Sequence, residues 1–579
     1  MAQQAHSILE QIRFHALNTP DQVALARLGP DGSKSHSITY RELDQRTAAL
    51  ASTLIAEGEQ GRPVLIPERN SCDYVIAYLA CLRAGAIAVT AYKPRSQDRS
   101  GRLHRIIDDS KCQSMLASTE TIQSFQELSE YPIAGERCFA TDQSFTTSSE
   151  SPDLPNVNPA SIAMLQYTSG STNHPRAVAL THSNLAANLA IMSSLFYRKG
   201  SCGTVCWLPL FHDMGLIGLV MTSLVNGITA NIMAPEEFVM RPLRWLKAIS
   251  ETRSEHSGAP NFAFQLCVDR TTPEEREGLD LSCWKSAMNG AETIRPATLR
   301  NFLDAFAPFG FDESAFQPCY GLAESTLVVA TRRPGGPLTM PQISTHALQE
   351  DRIEVNSAEN TDTKTVVTCG PPVPGQDVRI VKPESDTFLD DCFVGEICVR
   401  GASVASGYNN HDEDTMGTFV PQIGGEPGPW LRTGDLGSIV HNELVVVGRL
   451  KDLIIVGGMN HHPQDIEHTA EQAHPDIASS GCAVFSLTPT ESSDSERVVL
   501  VVEPTRECFR GYRKNAHKIA ELANEVAQAT RSQISSVHAV AISACVLVKP
   551  GSIPRTTSGK IQRQKCAQLF QSNDLDTLE

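Results

Sequence analysis

Five small residues stand together at Thr168, Ser169, Gly170, Ser171 and Thr172, and Arg176 follows just after Pro175. Backbone N–H groups come close to an anion at such a run, and the hydroxyls add donors, so the stretch suits a nucleotide polyphosphate. It is not a Walker A loop, because GxxxxGK[ST] is absent. A Ser/Thr-rich surface turn is the plain alternative. Downstream, CYGLAEST at 319–326 carries Tyr320, Gly321 and Glu324. An aromatic ring there could lie on a base, and one carboxylate plus phosphate oxygens is a usual way to hold Mg²⁺. An ordinary strand-to-helix turn would look the same. In LRTGDLG at 431–437, Asp435 follows a tight turn and could accept from two ribose hydroxyls, although Asp is common in turns for other reasons. Lys560 lies in a Gly-containing turn, IPRTTSGKIQRQK at 553–565; taken alone, such a turn is usually only solvated.

Three further segments carry polar groups between apolar runs. WLPLFHDMGLIG at 207–218 holds His212 and Asp213. Asp213 suits the N-cap of a following helix, and His212 is either a structural residue or a pocket-facing one. NGAE at 289–292 is, by itself, a turn. In GRLKDLIIVGGMNHHPQDIE at 448–467, Arg449 ends a strand, Lys451 and Asp452 are charged and an apolar strand follows, the pattern of a domain junction. His461 and His462 have no Cys or carboxylate context that would indicate a metal.

These residues need a scaffold, and the periodicities supply one. SIAMLQY at 161–167 reads as a buried strand, residues 38–57 as a helix after a strand-like entry, and 74–92 as a helix followed by a strand. Helix–strand alternation continues to about residue 330 and indicates parallel sheets covered by helices. Residues 142–158, 344–366 and 483–496 are polar, and the first and last read as loops. Short strands and turns dominate 370–447. Beyond Arg449, strands at 453–456, 497–503 and 538–548 and a helix at 513–533 suggest a small α+β domain joined near Lys451.

Bulk properties narrow the class. A chain of 579 residues is too long for one compact core. The net charge of −17 argues against a nucleic-acid or anionic-membrane footprint. The 16 cysteines form no CxxC pair and read as reduced thiols. The first residues lack an apolar signal core, so a cytoplasmic location is expected. The apolar stretch 216–234 is broken by Asn226, Gly227 and Asn231, which favours a buried helix and strand over a membrane span.

Taken in order, TSGST, YGLAE, TGD, GRLKD and SGKIQR resemble the adenylate-forming superfamily of acyl-CoA synthetases, peptide-synthetase adenylation domains and luciferases. The resemblance covers nearly the whole chain. Within that superfamily the sequence is most similar to the fatty acyl-AMP ligases: FHDMGLIG at 211–218, GAPNFAFQLC at 258–267 and NHHPQDIE at 460–467, where the family has NHYPQDIE. Residues 344–368 lie where these ligases carry an insertion that acyl-CoA synthetases lack. In the family this insertion packs against the domains and disfavours the CoA-using conformation.

The resemblance implies an α/β protein. Its large N-terminal domain, 1–450, would have parallel-rich sheets covered by helices plus a β-rich subdomain; a small mobile α+β domain, 451–579, would follow. It implies ATP-dependent conversion of a fatty acid to an acyl-adenylate, then transfer to the phosphopantetheine thiol of a separate acyl carrier protein. Residues 168–172 and Arg176 would hold phosphates, and Glu324 would hold Mg²⁺. Gly290, Ala291, Glu292, Tyr320 and Gly321 would border adenine, and Asp435 with Arg449 would fix the ribose. Lys560 would bridge carboxylate and α-phosphate, Lys451 would be the hinge, and His212 would join Glu324 and Lys560 as a catalytic group. Trp207, His212, Met214, Gly215, Ile217, Phe262 and Cys319 would line the acyl pocket. The chain departs from the family's GxPKG continuation at Asn173, Arg176 and Ala177, and has Gly457 where a basic residue is common. Arg176 keeps the charge, whereas losing two glycines stiffens a loop. The rival readings are an acyl-CoA synthetase, a non-catalytic nucleotide-binding scaffold, and an activator of amino or aryl acids.

Overall fold

The computed structural model describes residues 7–29, 32–93, 101–127, 133, 137–143, 156–168, 175–197, 200–355, 362–487, 497–512, 515–556 and 559–578. Ser169, Gly170, Ser171, Thr172 and Asn173 lie outside the described residues, as does most of the loop expected at 142–158.

Two parallel-rich sheets form the larger unit. One orders its strands Val328–Thr331, Phe316–Gly321, Ser286–Asn289, His256–Ala259, Thr204–Cys206, Ala230–Ile232, Val23–Leu28 and Lys34–Thr39. Its two edge pairs are antiparallel and the interior is parallel. The other runs Cys138–Ala140, Ser114–Ala117, Pro63–Glu68, Ile87–Tyr92, Ile162–Tyr167 and Ala177–Thr181, antiparallel only in the last pair. Helix Cys72–Ala84 packs on strands of both. Ser71 caps its start, left-handed Gly85 ends it, and nearly every side chain is buried; a helix that is apolar all round must be covered on all sides.

A five-stranded antiparallel sheet follows, built from Gln376–Val381, Gly395–Gly401, Glu426–Val440, Phe419–Ile423 and Glu443–Arg449. After the turn Leu450–Asp452, strands Ile477–Leu487, Arg497–Pro504 and Ile542–Leu547 make a separate sheet. Alternation splits its residues between two cores. Val498, Leu500 and Val502 join one with Ile466 and Val526 of helices Pro463–Ala473 and Ala516–His538. Val499 and Val501 join the other with Cys566 of helix Arg563–Gln571.

Two expectations change. The loop at 483–496 begins only after Leu487, because Ala483, Val484 and Phe485 are buried strand residues. The helix expected to stop at 533 continues to His538, where left-handed Ala539 ends it, so the last strand starts at Ile542. The polar stretch 344–366 carries structure of its own: Gln342–Ser344 pairs with Thr363–Thr365, and helix Thr345–Gln349 lies between them. The 216–234 stretch is a π-helical run, Met214–Met221, then helix Thr222–Val225 and strand Ala230–Ile232. Among the described residues no helix is long and apolar enough to cross a membrane.

Candidate active site

The strand ends of the large sheets open onto a cleft of ≈ 1660 Å³ that residues of the C-terminal unit also line. Strand Phe316–Gly321 delivers Tyr320 to it, and the turn Ala323–Ser325 delivers Glu324. No other residue fits at Gly321, since a β-carbon would fall 1.9 Å from the carbonyl oxygen of Leu327. Strands Glu426–Val440 and Glu443–Arg449 pair Asp435 directly with Arg449.

Asp435 is held from two sides. The Tyr320 hydroxyl donates to its Oδ2 at 2.9 Å and Arg449 Nε to its Oδ1 at 2.7 Å. Asp435 in turn holds the Arg449 guanidinium above its ordinary pKa. Glu324 accepts from the Tyr408 hydroxyl at 2.9 Å, and burial pushes its carboxyl up. Arg176 lies 5.5 Å from the Tyr408 ring centre and 3.3 Å from Asp414. The Thr168 N–H donates to the carbonyl of Arg176 at 3.1 Å, closing the base of the expected phosphate loop. Ala177, expected to stiffen that loop, instead begins a buried strand and pairs with Tyr167. Gly457 has an equally local reason: Gly457 and Gly458 both have positive φ in the tight turn between Ile454–Val456 and Met459–His461.

Lys560 reaches the cleft from the other unit. Among the described residues its ammonium has no ion-pair partner. Burial pulls it below its ordinary pKa and Arg449 adds to this, against the pull of Asp435, Asp213 and Glu292. Asp213 caps the Met214 N–H at 2.7 Å and pairs with His212 Nδ1 at 2.6 Å. The expected cap is therefore present, and His212 is on the cleft wall. Glu292 is half-buried; it accepts the Phe262 N–H at 2.6 Å and its carboxyl is pushed up by desolvation. Lys451 is exposed in the turn between the units. Close by, Arg563 binds Glu467 through two 2.7 Å bonds and Asp452 at 3.0 Å.

Of the expected acyl-pocket residues, His212, Met214, Phe262 and Cys319 border the cleft. Trp207, Gly215 and Ile217 lie behind it. Trp207 stacks 3.8 Å from Phe238, Gly215 packs on the carbonyls of Leu208 and Pro209, and Ile217 is fully buried. The apolar wall is completed by Met192, Phe196, Met288, Leu327 and Val328. Tyr408, Met192 and Phe196 were missed: the only sequence signal was the i, i+4 spacing of Met192 and Phe196 on helix His182–Phe196. Gly290, Ala291 and Gly321 border the same cleft. The 344–368 segment touches the C-terminal unit through Lys364–Asp465 and through Asn460, which donates to Asp351 at 2.9 Å.

The family described as AMP-binding enzyme matches residues 12–409, and that described as Disco-interacting protein 2-like, AMP domain, matches 451–579. A medium-chain-fatty-acid–[acyl-carrier-protein] ligase, JamA of Moorena producens, is 38% identical over 94% of this chain and 91% of its own length. A 4-hydroxyphenylalkanoate adenylyltransferase of Mycobacterium marinum is 35% identical over 95% and 88%. The crystal structure of a fatty acyl-adenylate ligase from L. pneumophila, in complex with acyl adenylate and pyrophosphate, matches with a TM-score of 0.73 at 34% identity, covering 99% and 97%.

Proposed function

The chain belongs to the AMP-binding enzymes and, within them, to the fatty acyl-AMP ligases, and from that premise we propose that it activates a fatty acid with ATP and passes the acyl group to the thiol of a separate acyl carrier protein. The observation that carries this reading is convergence: Glu324, Asp435, Arg449 and Lys560, spread over more than two hundred positions of sequence, border one cleft with an apolar extension.

In the first half-reaction a carboxylate oxygen attacks the α-phosphorus of ATP. The new P–O bond forms as the bond to pyrophosphate breaks, and pyrophosphate leaves. Little covalent work falls on the protein; position and charge do the rest. Lys560 would face both the carboxylate and the α-phosphate, where an ammonium in a dry site is most effective. Asp435 would accept the ribose hydroxyls, held in place by Tyr320 and Arg449. Gly290, Ala291, Glu292 and Tyr320 would border adenine. Thr168 and residues 169–172, with Arg176, would hold the β- and γ-phosphates. His212, oriented by Asp213, would sit at the carboxyl end of the acyl chain. Glu324, a half-buried hard-oxygen donor whose Oε1 accepts from the Tyr408 hydroxyl, fits a Mg²⁺ and would hold it; such an ion supplies charge to the phosphates.

In the second half-reaction the unit beyond Lys451 would turn away and the carrier thiol would attack the acyl carbonyl. The thioester forms, the thiol loses its proton and AMP leaves. Contacts of the 344–368 segment with the C-terminal unit support carrier protein over free CoA as acceptor. The relatives' names span fatty and hydroxyphenylalkanoic acids, so the deciding experiment is pyrophosphate release over a panel of both classes, with CoA or holo-carrier as acceptor. Turnover with fatty acids and carrier, and not with CoA, is the expected result; thioester formation on CoA at a comparable rate would make this an acyl-CoA synthetase.

A further inference from the structure

Lys560 is delivered by one unit into a site built by the other, so something must fix how the two meet. The cleft offers one charged contact near Lys560 that the chemistry above does not use. Arg295 of the large unit donates to Glu471 of helix Pro463–Ala473 through two bonds, at 2.8 and 3.5 Å. Glu471 is 8% exposed and Arg295 27%, so neither is a freely solvated surface charge.

Arg295 is itself held. Its N–H donates to Asn261 Oδ1 at 3.1 Å, and Asn261 donates in turn to Thr298. Next to Asn261 is Phe262, whose N–H is bound by Glu292. The Phe262 ring carries the second contact: a β-carbon on Gly559 would lie 3.4 Å from it. Gly559 has φ +88° and immediately precedes Lys560. The start of helix Asn261–Asp269 and the residue before helix Pro296–Phe306 thus form one platform. The C-terminal unit rests on it at Glu471 and at Gly559.

We propose that Arg295 and Glu471 are positioning residues: their pair seats Lys560 for adenylate formation and must break for thiol transfer. This rests on the adenylate-forming reading above. Arg295 precedes the turn at Lys451 and Glu471 follows it, so a rotation there separates the pair in the motion that withdraws Lys560. A contact made in one arrangement only shifts the balance between arrangements by its own differential strength. Removing one partner leaves a half-buried charge unpaired, which penalises the seated arrangement alone.

The test uses the full chain and separates the half-reactions. Arg295→Ala and Glu471→Ala should each lower ATP–pyrophosphate exchange about tenfold, while transfer from supplied acyl-adenylate to holo-carrier is unchanged or faster. The swapped pair, Arg295→Glu with Glu471→Arg, should recover most of the loss. In a Lys560→Ala background, Arg295→Ala should cost nothing further, because the pair acts through that lysine. An equal fall in both half-reactions, no recovery in the swap, or full additivity with Lys560→Ala would each overturn the proposal. Hydrogen exchange of the ligand-free protein gives a readout independent of turnover. Amides at 559–563 should lose protection in Arg295→Ala, and unchanged protection there overturns the proposal as well. A wild-type chain without exchange activity would instead overturn the adenylate-forming reading, and the hydrogen-exchange arm would still judge the pair.

Discussion

The two sides of the cleft are built on opposite principles. On one side Asp435 is fixed by Arg449 of the paired strand and by Tyr320 from another sheet of the same unit, with both carboxylate oxygens bonded before anything binds. From the other side Lys560 arrives on a turn of the second unit, desolvated and without an ion-pair partner among the described residues. The first arrangement is pre-organised, as suits holding a ligand; the second is costly to maintain and would be useful only when negative charge is in front of it. A site that must bind throughout a cycle but react in only part of it is well served by that division.

The sharpest way to break the comparison is at Lys560. Lys560→Ala should lower pyrophosphate exchange by at least roughly a hundredfold and leave ATP affinity, measured by equilibrium dialysis, nearly unchanged. Parallel losses in both would mean that the lysine belongs with the binding groups. Asp435→Ala should do the reverse: ATP binding weakens about thirtyfold, since Arg449 and Tyr320 lose their shared partner, while kcat at saturating ATP falls much less.

The junction between the two units should respond to acid. His462 is buried against Gly448 of the preceding strand. Neither of its ring nitrogens has a partner among the described residues. Burial lowers it from 6.5 to about 4, helped by Lys364 and His461 and opposed by Asp465, which also faces His538. A depressed base favours the packed arrangement fully above its free value and loses that support as pH falls from 6.5 toward 4. Between pH 7.5 and 5.5 the wild type should therefore lose about tenfold more adenylation than His462→Tyr. Identical profiles for the two proteins would remove His462 from the junction's energetics. The smallest expected effect is on the apolar wall. A β-carbon at Gly218 would lie 2.9 Å from Leu327 Cδ2. Gly218→Val should cost several-fold in kcat/KM for the longest acids accepted and little for short ones; an even loss across the series would place the acyl chain elsewhere.

That Glu324, Asp435 and Lys560 border one cleft was legible only from the order of their motifs along the chain, since each motif taken alone has an ordinary structural reading. The sheets could be read because helix and strand periods alternate cleanly up to residue 330. What escaped depends on contacts between distant segments. Tyr408 meets Glu324 across a large sequence gap, and nothing local marks it. Trp207 and Ile217 look like pocket residues because they are apolar and flank His212, yet period and composition do not say which side of a wall a buried residue occupies. The long helix ran past its expected end because its stop is left-handed Ala539, a residue type that carries no stop signal. Ala177 and Gly457 looked anomalous in the motif and ordinary in the fold, one as a buried strand residue and the other as half of a two-glycine turn.

Arg563 is bound to Asp452, next to Lys451, and to Glu467. It also lies three positions beyond Lys560. The turn at Lys451 and the loop that carries Lys560 are thereby tied together, like two arms of a turnstile. Whatever angle one arm turned through, the other would turn through as well. On the proposed cycle such a part would not admit a thiol while its lysine is engaged, so the order of the two half-reactions would be kept by a linkage rather than by relative rates.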